Sequence, residues 1–108
     1  MNLPHTVDVV TQIKTRDRYG GIKKGPTEVV VYADEPAWVQ PAGAVEVEMY
    51  ERRNMQITHT IYFKRDLNLQ PDHSIRYGGL LFEVQGFRDA TAGMGVYWKA
   101  HVSEVVEP

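Results

Sequence analysis

The chain contains no cysteine. Disulfides and thiolate metal sites are therefore outside its chemistry. No apolar run approaches the roughly 20 residues that a membrane-spanning helix needs. Neither sign of charge dominates: 12 Lys and Arg stand against 14 Asp and Glu, a formal net charge of −2. That balance argues against a dedicated binder of nucleic acid or of anionic membranes. The opening stretch MNLPHTVDVV has neither the basic n-region nor the continuous apolar stretch of a secretory signal. The expectation is a protein that folds in a cytoplasm.

Recognisable reaction motifs are missing too. The sequence has no HxH, HExxH, P-loop or Asp-rich calcium loop. Gly93-Met94-Gly95 lacks the third glycine and the following helix of a dinucleotide fingerprint. The four histidines, His5, His59, His73 and His101, come without recognisable motif context. His59 falls on the apolar side of a strand pattern and reads as a core histidine. His101 falls on a polar side and reads as solvated surface. The expectation is no catalysis, no metal and no cofactor.

What is present is alternation with period two. Val7, Val9, Thr11 and Ile13 share one side of TVDVVTQI. Met55, Ile57, His59, Ile61 and Phe63 share one side of MQITHTIYFKR. Leu80, Phe82 and Val84 alternate with Leu81, Glu83 and Gln85, and Val96, Trp98, Ala100 and Val102 alternate with Tyr97, Lys99, His101 and Ser103. These read as half-buried strands. EVVVYADE at 28–35 is a fifth, rich in β-branched residues. Pro36 and Pro41 bracket Trp38 in an extended stretch, and 68–74 and 90–95 read as turns. Residues 43–54, GAVEVEMYERRN, fit a strand through Val45, Val47 and Met49 or one short helix. Glutamate early and arginine late favour the helix, because that order complements the helix dipole. At 108 residues the expectation is one domain, residues 1–108. About six short strands without βαβ alternation imply an all-β fold: a small antiparallel barrel or sandwich with a long first inter-strand loop.

The pentapeptides RYGGI at 18–22 and RYGGL at 76–80 are nearly identical, but their flanks share nothing. The second copy precedes an apolar strand, and its glycines suit a tight hairpin turn. The first lies in a polar loop spanning 14–27, long enough to suggest function. Lys14, Arg16, Arg18, Lys23 and Lys24 against Asp17 give that loop a charge of +4, leaving −6 on the remainder. Asp34, Glu35, Glu46, Glu48 and Glu51 concentrate negative charge in the next third. Tyr62, Tyr97 and Tyr77 offer outward aromatic faces, which raises the alternative of a small nucleic-acid-binding barrel.

The order of stretches HTVDVVTQI, VVVYADEP, an acidic piece, THTIYFKRD, SIRYGGLLFEVQGFRD and WKAHVSEV resembles the small head–tail joining proteins of tailed phages. These are also called head-closure or stopper proteins. The resemblance covers nearly the whole chain. Lys64-Arg65 shifts the family's usual arginine by one position, and Gly79 stands where a basic residue is common.

The resemblance implies a structural virion protein assembled in the host cytoplasm. Its subunits would form a homo-oligomeric ring, usually dodecameric, below the portal and adaptor ring. That ring closes the channel after DNA packaging and docks the tail proteins. Lys14, Arg16, Arg18, Tyr19, Gly20, Gly21, Lys23 and Lys24 would then belong to a loop that gates the lumen. This loop could touch packaged double-stranded DNA without reading its sequence. Trp38, Asp34, Glu35, Glu46, Glu48 and Glu51 would be interface candidates, with a core position for Trp38 as the alternative. A tail-terminator or tail-completion protein would use the same sequence grammar.

Overall fold

The computed structural model describes residues 3–13, 27–91 and 93–105. Six strands and one helix follow in the order β1 (His5–Ile13), β2 (Thr27–Pro41), α1 (Ala44–Glu51), β3 (His59–Phe63), β4 (His73–Tyr77), β5 (Leu80–Asp89) and β6 (Trp98–Glu104). The strands close into an antiparallel barrel with the spatial order β1-β2-β3-β6-β5-β4, and β4 pairs back onto β1. Closure satisfies strand edges that an open sheet of this size would expose.

The alternating residues fill the barrel. Val7 and Val9 of β1, Ala37 of β2, Ile61 and Phe63 of β3, Ile75 of β4, Phe82 and Val84 of β5, and Ala100 and Val102 of β6 form one buried cluster. A barrel this narrow has room for side chains only. Leu67 and Leu69 join the cluster from the connection between β3 and β4. That connection crosses between strands that are not neighbours, and the two leucines close the barrel as it passes. Trp98, which shares the alternation of Ala100 and Val102, is only half-buried.

Three departures from regular pairing matter. β2 is longer than the sequence pattern suggests, because it continues through Pro36 to Pro41 and changes partner at Ala37. Ala37 pairs with His5 on one side and Phe63 on the other. The β1–β2 register shifts between Val7 and Val9, where Asp34 takes a φ of 51°. The Asp8 carboxylate accepts the Asp34 N–H at 2.9 Å, so the bulge leaves that donor satisfied. The β5–β6 register shifts between Val84 and Gly86. That shift reverses the parity of β5. Phe82 and Val84 face inward, but beyond the shift Phe87 packs on the core, while Gly86 and Arg88 lie opposite the outward residues His101 and Lys99.

The 43–54 segment is helical over Ala44–Glu51. Glu46 sits in its first turn, whereas Arg52 and Arg53 follow its end rather than filling its last turn. At the second RYGG copy, Gly78 and Gly79 form the two-residue turn between β4 and β5. Only Gly78 has positive φ, at +57°, as a type II′ turn requires of its first central residue.

Candidate functional site

The outer face of β3, β6 and β5 carries two rows of side chains under and beside α1. Thr60, His101 and Gly86 are paired neighbours in the first row. Tyr62, Lys99 and Arg88 are paired neighbours in the second, and Trp38 extends that row onto β2. α1 contributes Glu46 and Tyr50, four residues apart and so on one helical face.

Polar contacts hold this face together. Lys99 Nζ donates to Glu46 Oε1 at 2.8 Å, and Thr60 Oγ1 donates to Glu46 Oε2 at 3.1 Å. The Tyr50 ring lies 5.0 Å from the His101 ring, centroid to centroid, at 44°. Gly86 leaves the space that the Tyr50 hydroxyl occupies. α1 has no fully buried residue, so these contacts take the place of an apolar stripe.

His101 was expected on the surface, and the structure overturns that reading: the residue is 1% exposed. It does face outward from β6, but α1 covers it. Its Nδ1 lies 3.3 Å from Glu46 Oε2, yet out of line for a hydrogen bond. Among the described residues it has no hydrogen-bond partner.

The electrostatics follow from the packing. Burial, the largest influence on His101, lowers its pKa below the ordinary 6.5; Glu46 opposes this, while Lys99 and Arg88 reinforce it. His101 is therefore mainly neutral at pH 7. For Glu46, burial is the largest single influence and acts to raise the pKa. The Lys99 hydrogen bond, the attraction of His101 and Lys99 and the Thr60 hydrogen bond together outweigh it and hold the carboxyl below 4.5. With His101 neutral, the Lys99 and Thr60 contacts are the ones that persist at neutral pH. Burial raises the Tyr50 pKa above 10 despite the opposing fields of Arg88 and Arg53. Its hydroxyl stays protonated.

A cavity of about 260 Å³ opens at this junction, lined by Glu46, Met49, Tyr50, Arg53, Arg88 and His101. A larger but shallower concavity of about 480 Å³ lies at the β4–β5 turn. Among the described residues Arg76 is the only charged side chain lining it, and Arg76 already pairs with Glu28 at 2.7 Å. The smaller cavity is the one where titratable groups converge.

The residues singled out from sequence are dispersed. Lys14, Arg16, Arg18, Tyr19, Gly20, Gly21, Lys23 and Lys24 lie outside the described residues. Glu35 is buried and accepts two hydrogen bonds from Arg65, at 2.7 and 2.8 Å. Glu46 belongs to the α1 site. Glu48 pairs with Arg52 on the exposed helix surface, and Asp34 and Glu51 are exposed. Trp38 is half-buried on the outer face, 5.8 Å from the Tyr62 ring, and is not a core residue.

The other histidines have structural contacts. His5 Nδ1 accepts the Val39 N–H at 3.1 Å, and His73 Nδ1 accepts the Gln70 N–H at 2.8 Å. His59 packs on Phe82 at 4.8 Å. Among the described residues no group of three His, Asp or Glu side chains could hold a metal ion. No helix among them is long and apolar enough to cross a membrane.

Sequence reasoning missed Tyr50, Arg53, Gly86 and Arg88. One signal was available: a glycine inside an alternating strand marks a bulge or a close approach, and Gly86 is both. No family model and no curated protein matches the chain.

Proposed function

We propose that the protein is a head-closure component of a phage head–tail connector. It forms a ring of identical subunits below the portal and adaptor, seals the channel after packaging and docks the tail. The reading assigns it no catalysis and needs no cofactor.

One observation carries the reading. Each stretch that resembles the head–tail joining family coincides with an element of a single closed barrel. HTVDVVTQI is β1, VVVYADEP lies in β2, the acidic piece is α1, THTIYFKRD spans β3, SIRYGGLLFEVQGFRD spans β4 and β5, and WKAHVSEV spans β6.

The β1–β2 ribbon suits the role. β1 pairs with β4 only over Asp8–Thr11, and β2 pairs with β3 only from Ala37, yet β1 and β2 stay paired out to Ile13 and Thr27. The chain thus enters and leaves the cationic segment at the end of a ribbon that runs past its other partners. Val29, Val30 and Val31 are exposed on β2 of this ribbon, apolar surface that a ring neighbour would cover. A closed ring needs two different complementary surfaces on each subunit.

The test is neutralisation of the segment. With Lys14, Arg16, Arg18, Lys23 and Lys24 all changed to Gln, filled heads should release DNA more readily, or rings should assemble less well, across a salt series. Unchanged DNA retention together with unchanged assembly would contradict the gate.

A further inference from the structure

We propose that the cavity between α1 and the β5–β6 face binds a single carboxylate group. This inference does not depend on the connector reading.

The cavity is walled by α1, the turn after it, β5 and β6. Glu46, Met49 and Tyr50 come from α1, Arg53 from the turn that follows it, and Arg88 and His101 from β5 and β6. Arg53 and Arg88 have no carboxylate partner among the described residues. Arg53 instead lies over the Tyr50 ring at 5.7 Å. Two unpaired guanidinium forks facing one small cavity favour a planar, two-oxygen anion.

Glu46 does not oppose such a ligand strongly. Its two oxygens are already taken up by Lys99 and Thr60. Counting Lys99, Arg53 and Arg88 against Glu46, with His101 neutral, the site is cationic. The Tyr50 hydroxyl, protonated at neutral pH, has no hydrogen-bond partner among the described residues.

The His101 side chain is 2% exposed, and its Nδ1 is without a hydrogen bond. That Nδ1 already lies 3.3 Å from the Glu46 carboxylate, so the arginines, and not this atom, are what call for a ligand. His101 lines the same cavity as Arg53 and Arg88. The Met49 side chain and the Tyr50 ring add apolar wall for a short carbon chain. The volume holds about nine waters at ~30 Å³ each. That suits a dicarboxylate of a few carbons or one Asp or Glu side chain, and it falls below the roughly 300 Å³ at which drug-sized ligand sites begin.

The same carboxylate could arrive on a free metabolite or on an acidic side chain of a neighbouring copy. The experiment distinguishes them. Backbone amide and Arg side-chain Nε–H signals of the full chain are followed by NMR during titration with sodium succinate, with sodium chloride as the ionic-strength control. A free-carboxylate site gives saturable shifts at Gly86, Tyr50, Arg88 and His101. Those shifts should weaken at least fivefold in Arg88→Gln and stay intact in Arg52→Gln, whose guanidinium pairs with Glu48 outside the cavity. A neighbour-borne carboxylate leaves succinate silent, but the same four signals move as the protein is concentrated, and Arg88→Gln abolishes the movement.

Should Arg88→Gln lose its dispersed spectrum, Arg88→Lys is used. It keeps the charge, removes the fork and should also weaken binding. Silence to both succinate and concentration, or shifts that persist unchanged in the Arg88 and Arg53→Gln variants, overturns the proposal.

Discussion

The Tyr50 hydroxyl stands over Gly86 so closely that a Cβ added at residue 86 would lie 2.5 Å from it. The glycine is therefore a seat for the helix. Gly86→Ala should destabilise the protein by about 1–2 kcal/mol, because the Tyr50 ring must swing away from His101. Tyr50→Phe removes the clashing oxygen, and the ring carbon that carried it stands 3.5 Å from the added Cβ. The pair should lose less than the two single changes summed, as read by urea unfolding of all four proteins. Strict additivity would show that α1 does not rest on Gly86.

Acid should loosen the same junction in two stages. His101 has a folded pKa below its ordinary 6.5, so as pH falls through 6.5 the unfolded chain takes up the proton first. Stability is lost from there down to the folded pKa. Glu46 also has a lowered pKa, and its contribution is present above 4.5 and lost as pH falls through its folded value. The urea midpoint at constant ionic strength should therefore decline between pH 7 and pH 5, before the carboxylate stage begins. In His101→Gln that first decline should vanish. A His101→Gln profile parallel to that of the native protein would place the titrating group elsewhere.

The two glycines of the second RYGG copy should behave differently. Gly78→Ala forces a side chain into a φ of +57° and should cost about 1 kcal/mol. Gly79 lacks positive φ and faces open space, so Gly79→Ala should be near neutral. Thermal melts of both variants decide this, and equal losses would contradict the turn geometry.

Leu67 sits in an irregular connection but is 2% exposed within the core. Leu67→Ala should cost about 3 kcal/mol, as a buried strand leucine would. A loss under about 0.5 kcal/mol, the range of surface positions, would mean that the connection is not a closing layer of the barrel.

The strands were legible because period two reports which side chains meet in the barrel: Ile61, Phe63, Phe82, Ala100 and Val102 all fall where alternation puts them. The second half of β2 was legible only as an extended stretch between Pro36 and Pro41, because the β-branched run stops before Pro36, although both prolines lie within the strand. The helix gave a weak signal because Val45 and Met49 are exposed and its contacts run through Glu46 and Tyr50.

The site was harder still. Alternation separates inward from outward, but it cannot say which outward residues another element will cover, and so His101 was misjudged. The bulge after Val84 reversed the parity that would otherwise have put Gly86 inside and Arg88 away from Lys99.

Where the protein resides is tested most directly on particles. DNA-filled heads without tails, free tails and complete virions would be purified from a lysate of the source, and the polypeptide quantified in each by mass spectrometry. A head-closure protein should be present at roughly a ring's worth per filled head and per virion, and absent from free tails. Presence on tails alone would move it to the tail-completion tier, and absence from every particle would contradict the structural role altogether.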